Sequence, residues 1–539
     1  MPPSYTEQRQ TLVNSLENEY FDLVIIGGGI TGAGIALDAE TRGLKVALIE
    51  QNDFASGTSS KSTKLIHGGL RYLKQFEFGL VREVGRERAI LHDLATHLVR
   101  PEKMLLPLTK DGSYGKIIAS VGLMVYDVLA DVEKEDHRRM LSPQETMQLE
   151  PLLNVDKIEG GGLYSEYQTD DFRLVIELLK AAQNEGAKVM NYSACQDFII
   201  KAGKIAGVKV HDDILDQEYT LYADYVINAA GPWSDLIRKN QEEVKGKKLH
   251  LTKGVHLVVP FQNLPIQQSV YFDVPDGRMM FAIPKKDVTY IGTTDTTFTG
   301  DLEDVRTTLE DVHYLLDAVN HYFPTVHLEP KDVISSWAGI RPLIEEEGKS
   351  ASEISRKDEI FVSEHGLVTI AGGKLTGYRK MAKRAVETIL EIRHEQTGKK
   401  IPKCKTKKYY LPGNSFKNQK AVKKYKKSLA EENPNTSIAD IDYLVDLYGT
   451  QCEEILSHAK TSSIIMSEVR FCIEHEWVSH LTDFFIHRTG RLFFDIESVK
   501  SNLEVVAEEM SAMLCWSDEQ KNAEIEGINR EITKATVFE

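Results

Sequence analysis

Two histidines and a few cations stand where chemistry could be done. The segment Lys64-Leu65-Ile66-His67-Gly68-Gly69-Leu70-Arg71-Tyr72 gathers a histidine, a glycine pair, an arginine and a tyrosine. Glycines let backbone approach a ligand, and polar side chains beside them can converge on it. His256 alternates with Val255 and Leu257 in a strand-like run, which turns its imidazole away from the face those two bury. A histidine so placed can take a proton near neutral pH; one merely satisfied by the core is the plainer alternative for His256 and His67 alike. Arg341, Arg71 and Lys374 are candidates to bind a phosphate, with the Tyr72 hydroxyl beside them. Arg341 and Arg71 stand among apolar or glycine neighbours instead of in a charged run.

These groups need a frame, and its start is legible at Phe21–Gly34. An apolar run from Phe21 to Ile26 suits a buried parallel strand, and Ile30 to Arg42 reads as the helix behind it. Between them Gly27, Gly29 and Gly32 satisfy G-x-G-x-x-G: a tight turn, close backbone approach to a pyrophosphate, and close helix–strand packing. The helix start, with Ile30 and Thr31, offers free N–H groups to the phosphates. A second apolar run, Leu44 to Ile49, ends at Glu50, followed by Gln51, where an acid should meet a ribose hydroxyl. The fingerprint alone allows NAD or FAD. Tyr225-Val-Ile-Asn-Ala-Ala-Gly231 reads as a buried strand returning to this sheet, and Gly366 to Lys374 as a further strand running into glycines before the helix Thr376–Ile392.

Other stretches divide the chain. Glu77 to Leu98 has amphipathic helical spacing, and Ser142-Pro143-Gln144-Glu145 is a capping box. Gly254–Pro260, Ser269–Phe272, Arg278–Ile283 and Val288–Thr294 read as short strands of an inserted antiparallel sheet. A basic, proline-containing stretch, Lys399 to Lys427, reads as a linker. After it, Ile441, Leu444, Val445 and Leu447, then Val499, Leu503, Val506, Met510 and Met513, repeat at helical spacing. The expected division is a nucleotide-binding unit over 20–395, with an interleaved substrate part mainly at 86–150 and 250–365, a linker at 396–427 and a helical domain at 428–539.

Composition narrows the function class. The 539 residues are 42% hydrophobic and 27% charged, as in ordinary globular proteins. A net charge of −16 disfavours nucleic acid as a partner but allows a locally basic pocket for a small anion. Five scattered cysteines without C-x-x-C spacing fit reduced thiols, with no metal site expected. No apolar run is long enough to span a bilayer, and the first twenty residues lack a signal-peptide core, so the expected location is the cytoplasm. The basic stretch is equally readable as a solvated linker or as a peripheral contact with anionic lipid on the inner face of the cell membrane. Oligomeric state is open, a homodimer included.

Taken together, Ile26–Gly34, Gly57-Thr58-Ser59-Ser60, Lys64–Leu73, Asn228-Ala-Ala230-Gly231-Pro-Trp233, Lys253–His256, Gly292–Asp295, Gly339–Leu343 and Gly372-Gly373-Lys374-Leu375-Thr376 resemble the FAD-dependent, quinone-linked glycerol-3-phosphate dehydrogenases, relatives of α-glycerophosphate oxidase. The resemblance covers nearly all residues from Asp22 onward, and the His-Gly-Gly-Leu-Arg-Tyr block is its most specific part. It implies an α/β fold: a Rossmann-like FAD-binding domain of D-amino-acid-oxidase type, an inserted antiparallel-sheet substrate domain, and an all-helical C-terminal domain. It implies FAD held by the glycine turn, Glu50, Gln51, Thr58, Ser59, Ser60, Lys64, Leu65, His67, Gly68, Gly69, Ala230, Gly231, Trp233, Gly339, Arg341, Gly373, Lys374, Leu375 and Thr376. It also implies sn-glycerol 3-phosphate as donor, dihydroxyacetone phosphate as product and a membrane quinone as acceptor. On that reading His256 is the base and His67 a flavin-side or substrate contact, while Lys374 serves either flavin or phosphate. Oxidase relatives carry a long insertion after the Arg-Pro-Leu block; here only Ile344 to Ile354 separates it from Ser355-Arg356, which favours the dehydrogenase branch. The family's paired arginines are His487-Arg488 in this chain. An oxidase releasing peroxide, and a flavin-binding regulator without turnover, are the rival readings.

Overall fold

The strand Tyr20–Ile26 lies between Val46–Ile49 and Gln217–Asn228, parallel to both. A computed structural model describes residues 5–68, 78–110, 137–240, 247–274, 276–345 and 357–539. Lys188–Met190 and Val368–Gly372 extend the parallel sheet, and Asp358–Val362 closes its far edge antiparallel. The first strand is continuously apolar because both of its faces are covered. Leu23 and Ile25 pack under the helices Ile30–Thr41, Asp171–Glu185 and Tyr378–Thr397. Val24 and Ile26 join a second cluster, with Val13 and Leu16 of the helix Tyr5–Glu17 and with Val208 and Val210 of a neighbouring hairpin. Each large side chain so buried contributes about 1.5–3 kcal/mol.

The second sheet is built on Leu249–Pro260, which pairs antiparallel with Ser335–Ile344 and Val288–Gly292, with Met279–Lys285 and Ser269–Asp273 beyond. It departs from the fully antiparallel expectation at Ser269–Asp273, which runs parallel to Arg100–Thr109. That strand and Ile158–Gln168 arrive from before the insertion, so the sheet is assembled from two separated parts of the chain. The helix Leu309–Tyr322 covers the sheet with Val312, Leu315 and Val319.

Domain edges shift in three places. Leu91, Ala95 and Leu98, assigned to the substrate part, pack into the nucleotide-domain core, and Asp358–Val362 belongs to the nucleotide sheet. Residues 419–427 of the supposed linker start the helix Gln419–Glu432, whose Val422 and Leu429 enter the C-terminal core with Ile441, Leu444, Val499, Val506 and Met510. The lysines that made this stretch look like a linker occupy the exposed side of an amphipathic helix.

Candidate active site

The glycine turn is built for close approach. Gly27, at φ 112°, could not carry a side chain, since a Cβ would lie 2.6 Å from the Ala229 carbonyl; at Gly32 it would lie 1.9 Å from the Gly27 carbonyl. Glu50 braces the turn: its Oε2 accepts the Gly28 amide at 2.7 Å and its Oε1 that of Asn52 at 3.0 Å. Burial raises the Glu50 carboxyl to about 7, against those hydrogen bonds. Ser59 Oγ accepts the Ile30 amide at 2.9 Å, tying the hydroxyl-rich loop to the helix start.

A cavity opens along this turn. Gly27, Gly29, Ile30, Thr31, Glu50, Gln51, Thr58, Ser59, Ala230, Gly231, Trp233, Gly373, Lys374 and Leu375 all line it. Ser193 and Cys195 line it too, as do Ile370 and Met381, and the sequence marked none of them. Ser193 and Cys195 come from the strand Ser193–Lys201, which carries no motif; the Gly-rich end of Val368–Gly372 was the available signal for its neighbours. The cradle left by absent side chains, with a helix N-terminus and the Glu50 carboxyl group both in its wall, fits a dinucleotide such as FAD.

Beyond Gly373 several loops meet. Thr376 Oγ1 bonds both the His67 amide, 3.1 Å, and the His67 carbonyl, 3.2 Å, joining segments 309 residues apart. Gly339 lets the strand pass the loop at Lys61, where a Cβ would sit 2.6 Å from Lys61 Cβ, and Thr58 donates to the Ile340 carbonyl at 2.6 Å. Arg341 lies over Gly254, donating to the Thr294 carbonyl at 2.9 Å, to Thr293 Oγ1 at 2.6 Å and to Asp295 at 3.3 Å.

His256 is fully buried, and the alternation argument is superseded because both faces of its strand are covered. Its ring stacks on Trp337 at 4.8 Å, its Nε2 bonds Thr63 Oγ1 at 2.9 Å, and its Nδ1 has no hydrogen-bond partner among the described residues. Burial, with Arg341 and Lys64 nearby, pushes its pKa well below the ordinary value, so the imidazole is neutral. With the proton on Nε2, the Nδ1 lone pair is a base held in fixed orientation.

Ser60, Lys64 and Leu65, expected to hold the cofactor, are buried and do not line the cavity. Lys64 is fully buried, its ammonium bound to Asp171 at 2.7 Å and to the Ser60 carbonyl at 2.8 Å, among the rings of Phe172, Trp337, Phe493 and Phe494. Leu65 packs in an apolar cluster with Val81 and Met104, and Ser60 is fully buried. Gly69, Arg71 and Tyr72 lie outside the described residues.

Residues 22–379 match the family of FAD dependent oxidoreductases, and 404–521 match the C-terminal domain of alpha-glycerophosphate oxidase. The chain is 45% identical to the aerobic glycerol-3-phosphate dehydrogenase of Bacillus subtilis, over 98% of both sequences. It resembles the crystal structure of a glycerol-3-phosphate dehydrogenase from Bacillus halodurans complexed with FAD, with 38% identity, TM-score 0.84 and 99% of each chain covered. An FAD-bound L-alpha-glycerophosphate oxidase from Mycoplasma pneumoniae shares the fold at 20% identity, TM-score 0.56, over 69% of this chain and 95% of that one.

Proposed function

This chain belongs to the FAD-dependent glycerol-3-phosphate dehydrogenases, and from that membership we propose how its residues oxidise sn-glycerol 3-phosphate to dihydroxyacetone phosphate. Bound FAD supplies the hydride acceptor. His256 takes the hydroxyl proton at Nδ1 while Thr63 and the Trp337 ring hold the imidazole still. Arg341 presents its guanidinium to the phosphate from a position fixed by Thr293, Thr294 and Asp295, and Lys374, on the rim of the cofactor cavity, adds a second cation. The observation that carries this assignment is His256 itself, stacked on Trp337 and held at Nε2 by Thr63, with an Nδ1 that has no partner among the described residues.

Anaerobic glycerol 3-phosphate should bleach the flavin spectrum of the wild type quickly. His256→Gln should slow that bleaching by about 100-fold or more with FAD still bound, the scale of a lost general base; an unchanged rate removes His256 from the reaction.

The acceptor is a membrane quinone, and the exposed lysines from Lys399 to Lys424, flanking Ile401 and Tyr410, contact anionic lipid. No described helix is long and apolar enough to cross a membrane, so contact would be peripheral. Salt-sensitive cosedimentation with phosphatidylglycerol vesicles and rapid reduction of a soluble quinone support this reading. Fast peroxide release in air, with slow quinone reduction, would replace it with the oxidase.

A further inference from the structure

The loop Glu50–Ser60 supplies much of the cofactor cavity's lining, yet beyond the single turn Thr58–Ser60 it has no regular structure, and Ala55 is held at φ 66°. Something must hold it. Asp53, in its middle, does not line the cavity and is 2% exposed. Its Oδ2 accepts from Arg488 Nη1 at 2.7 Å and His487 Nδ1 at 2.9 Å, and its Oδ1 from Arg488 Nη2 at 2.9 Å and Asn191 Nδ2 at 3.1 Å. The carboxylate is thus gripped bidentately by a guanidinium from the C-terminal domain, 435 residues away. Although burial alone would raise its pKa, Arg488 and His487 hold Asp53 well below the usual carboxylate range.

The neighbouring residue makes a second contact of the same kind. Phe54 packs edge-on against Trp477 of the C-terminal domain at 5.3 Å. Its other side presses on the glycine turn, where a Cβ on Gly28 would fall 2.5 Å from Phe54 Cδ1. From domain to phosphate-binding turn the path is two rings long. Asn191 closes the knot by donating both to Asp53 and to the Trp477 carbonyl, 2.9 Å. The domain side is unusual at this spot. His487 and Arg488 end a π-helix, Asp483–Arg488, a rare form that recurs at functional sites, and Trp477 is held at φ 56°, a strained setting for a non-glycine residue.

We propose that the C-terminal helical domain is part of the cofactor-holding machinery: the buried link from Arg488 and His487 to Asp53, with Trp477 behind Phe54, fixes the loop that lines the FAD pocket, so domain and cofactor stabilise one another. Arg488 and Asp53 are positioning residues, acting through the loop. This role rests on FAD occupying the cavity and is independent of substrate and acceptor.

Amide hydrogen exchange of the wild-type protein, with and without FAD, reads this coupling directly. Peptides covering 477–490 touch no part of the cofactor cavity. They should exchange about tenfold or more slowly once FAD is loaded, an effect of the size expected when a coupled local opening is suppressed. Unchanged exchange there, while peptides over Gly27–Thr31 slow, overturns the proposal. A paired variant, Asp53→Asn with Arg488→Met, removes both charges and leaves neither buried alone. Titration of the apoprotein, followed by flavin fluorescence, should show FAD binding weakened by about tenfold or more, the scale of lost charge-assisted bonds. The rise in Tm on adding FAD should shrink accordingly. FAD affinity equal to wild type, with Tm lowered equally in apo and loaded protein, would make the contact ordinary domain packing; if the variant fails to fold, the exchange experiment decides.

Discussion

Arg341 and Glu50 show how one residue type takes its meaning from its partners. Arg341 has its fork directed by three consecutive residues, Thr293 to Asp295, so its guanidinium is aimed before any ligand arrives. Arg341→Ala should raise KM for glycerol 3-phosphate and lower kcat while the purified protein stays yellow; an unchanged kcat/KM would remove it from the site. Glu50 braces the backbone turn as well as ending the strand where a ribose should sit. Glu50→Ala therefore loses both the brace and the acceptor, and FAD should dissociate at least about tenfold more readily on dilution. Full flavin occupancy after gel filtration would show the acid dispensable. Both residues were legible from neighbours in sequence. The placement of Lys64 was not, because Asp171 lies 107 residues on and no local pattern announces the pair.

Elements carried the most legible information, since period and punctuation are local. The strand Tyr20–Ile26, the helix behind the glycines, the box Ser142–Glu145 and the C-terminal heptad-like spacing all appear where propensity and capping put them. Linker and helix were confused over residues 419–427 because a lysine-rich amphipathic helix looks solvated until its narrow apolar stripe finds a core. One element carries a pH response. His480 precedes the π-helix, and its pKa, which burial alone would lower, is raised to about 9 by its bond to Glu524 and by Asp483 and Asp53. A histidine with a raised folded-state pKa adds stability that is complete below its unfolded value, about 6.5, and is lost as pH rises through the folded one. The wild-type Tm should therefore fall between pH 6.5 and 9, and His480→Gln should flatten that slope. An identical slope in the variant would show that another group is responsible.

Across the whole molecule, buried charge joins the C-terminal domain to the nucleotide domain. Glu476 binds Arg173 through both oxygens, 2.6 and 2.9 Å, and Lys180 at 3.0 Å, all nearly free of solvent. Burial would raise the Glu476 pKa, but Arg173 and Lys180 drive it far below the carboxylate range. Glu476→Gln would leave two buried cations, Arg173 and Lys180, with only the Glu177 carboxylate between them, so chemical denaturation should show a loss of about 3–5 kcal/mol. A loss below about 1 kcal/mol, the range of an exposed pair, would mean that water reaches the site.

By itself the sequence determined the phosphate-binding turn and the strand and helix around it, because these rest on short motifs whose spacing is a backbone property; the cofactor and the reaction family were legible only through the resemblance of its longer motif blocks to a known family. Tertiary structure alone decided that His256 stacks on Trp337 with one nitrogen unpartnered among the described residues, that Lys64 belongs to Asp171, and that Asp53 reaches across the chain to Arg488. Those contacts join residues 81, 107 and 435 positions apart. Periodicity carries no sign of them, and they form only when separately built layers close on one another.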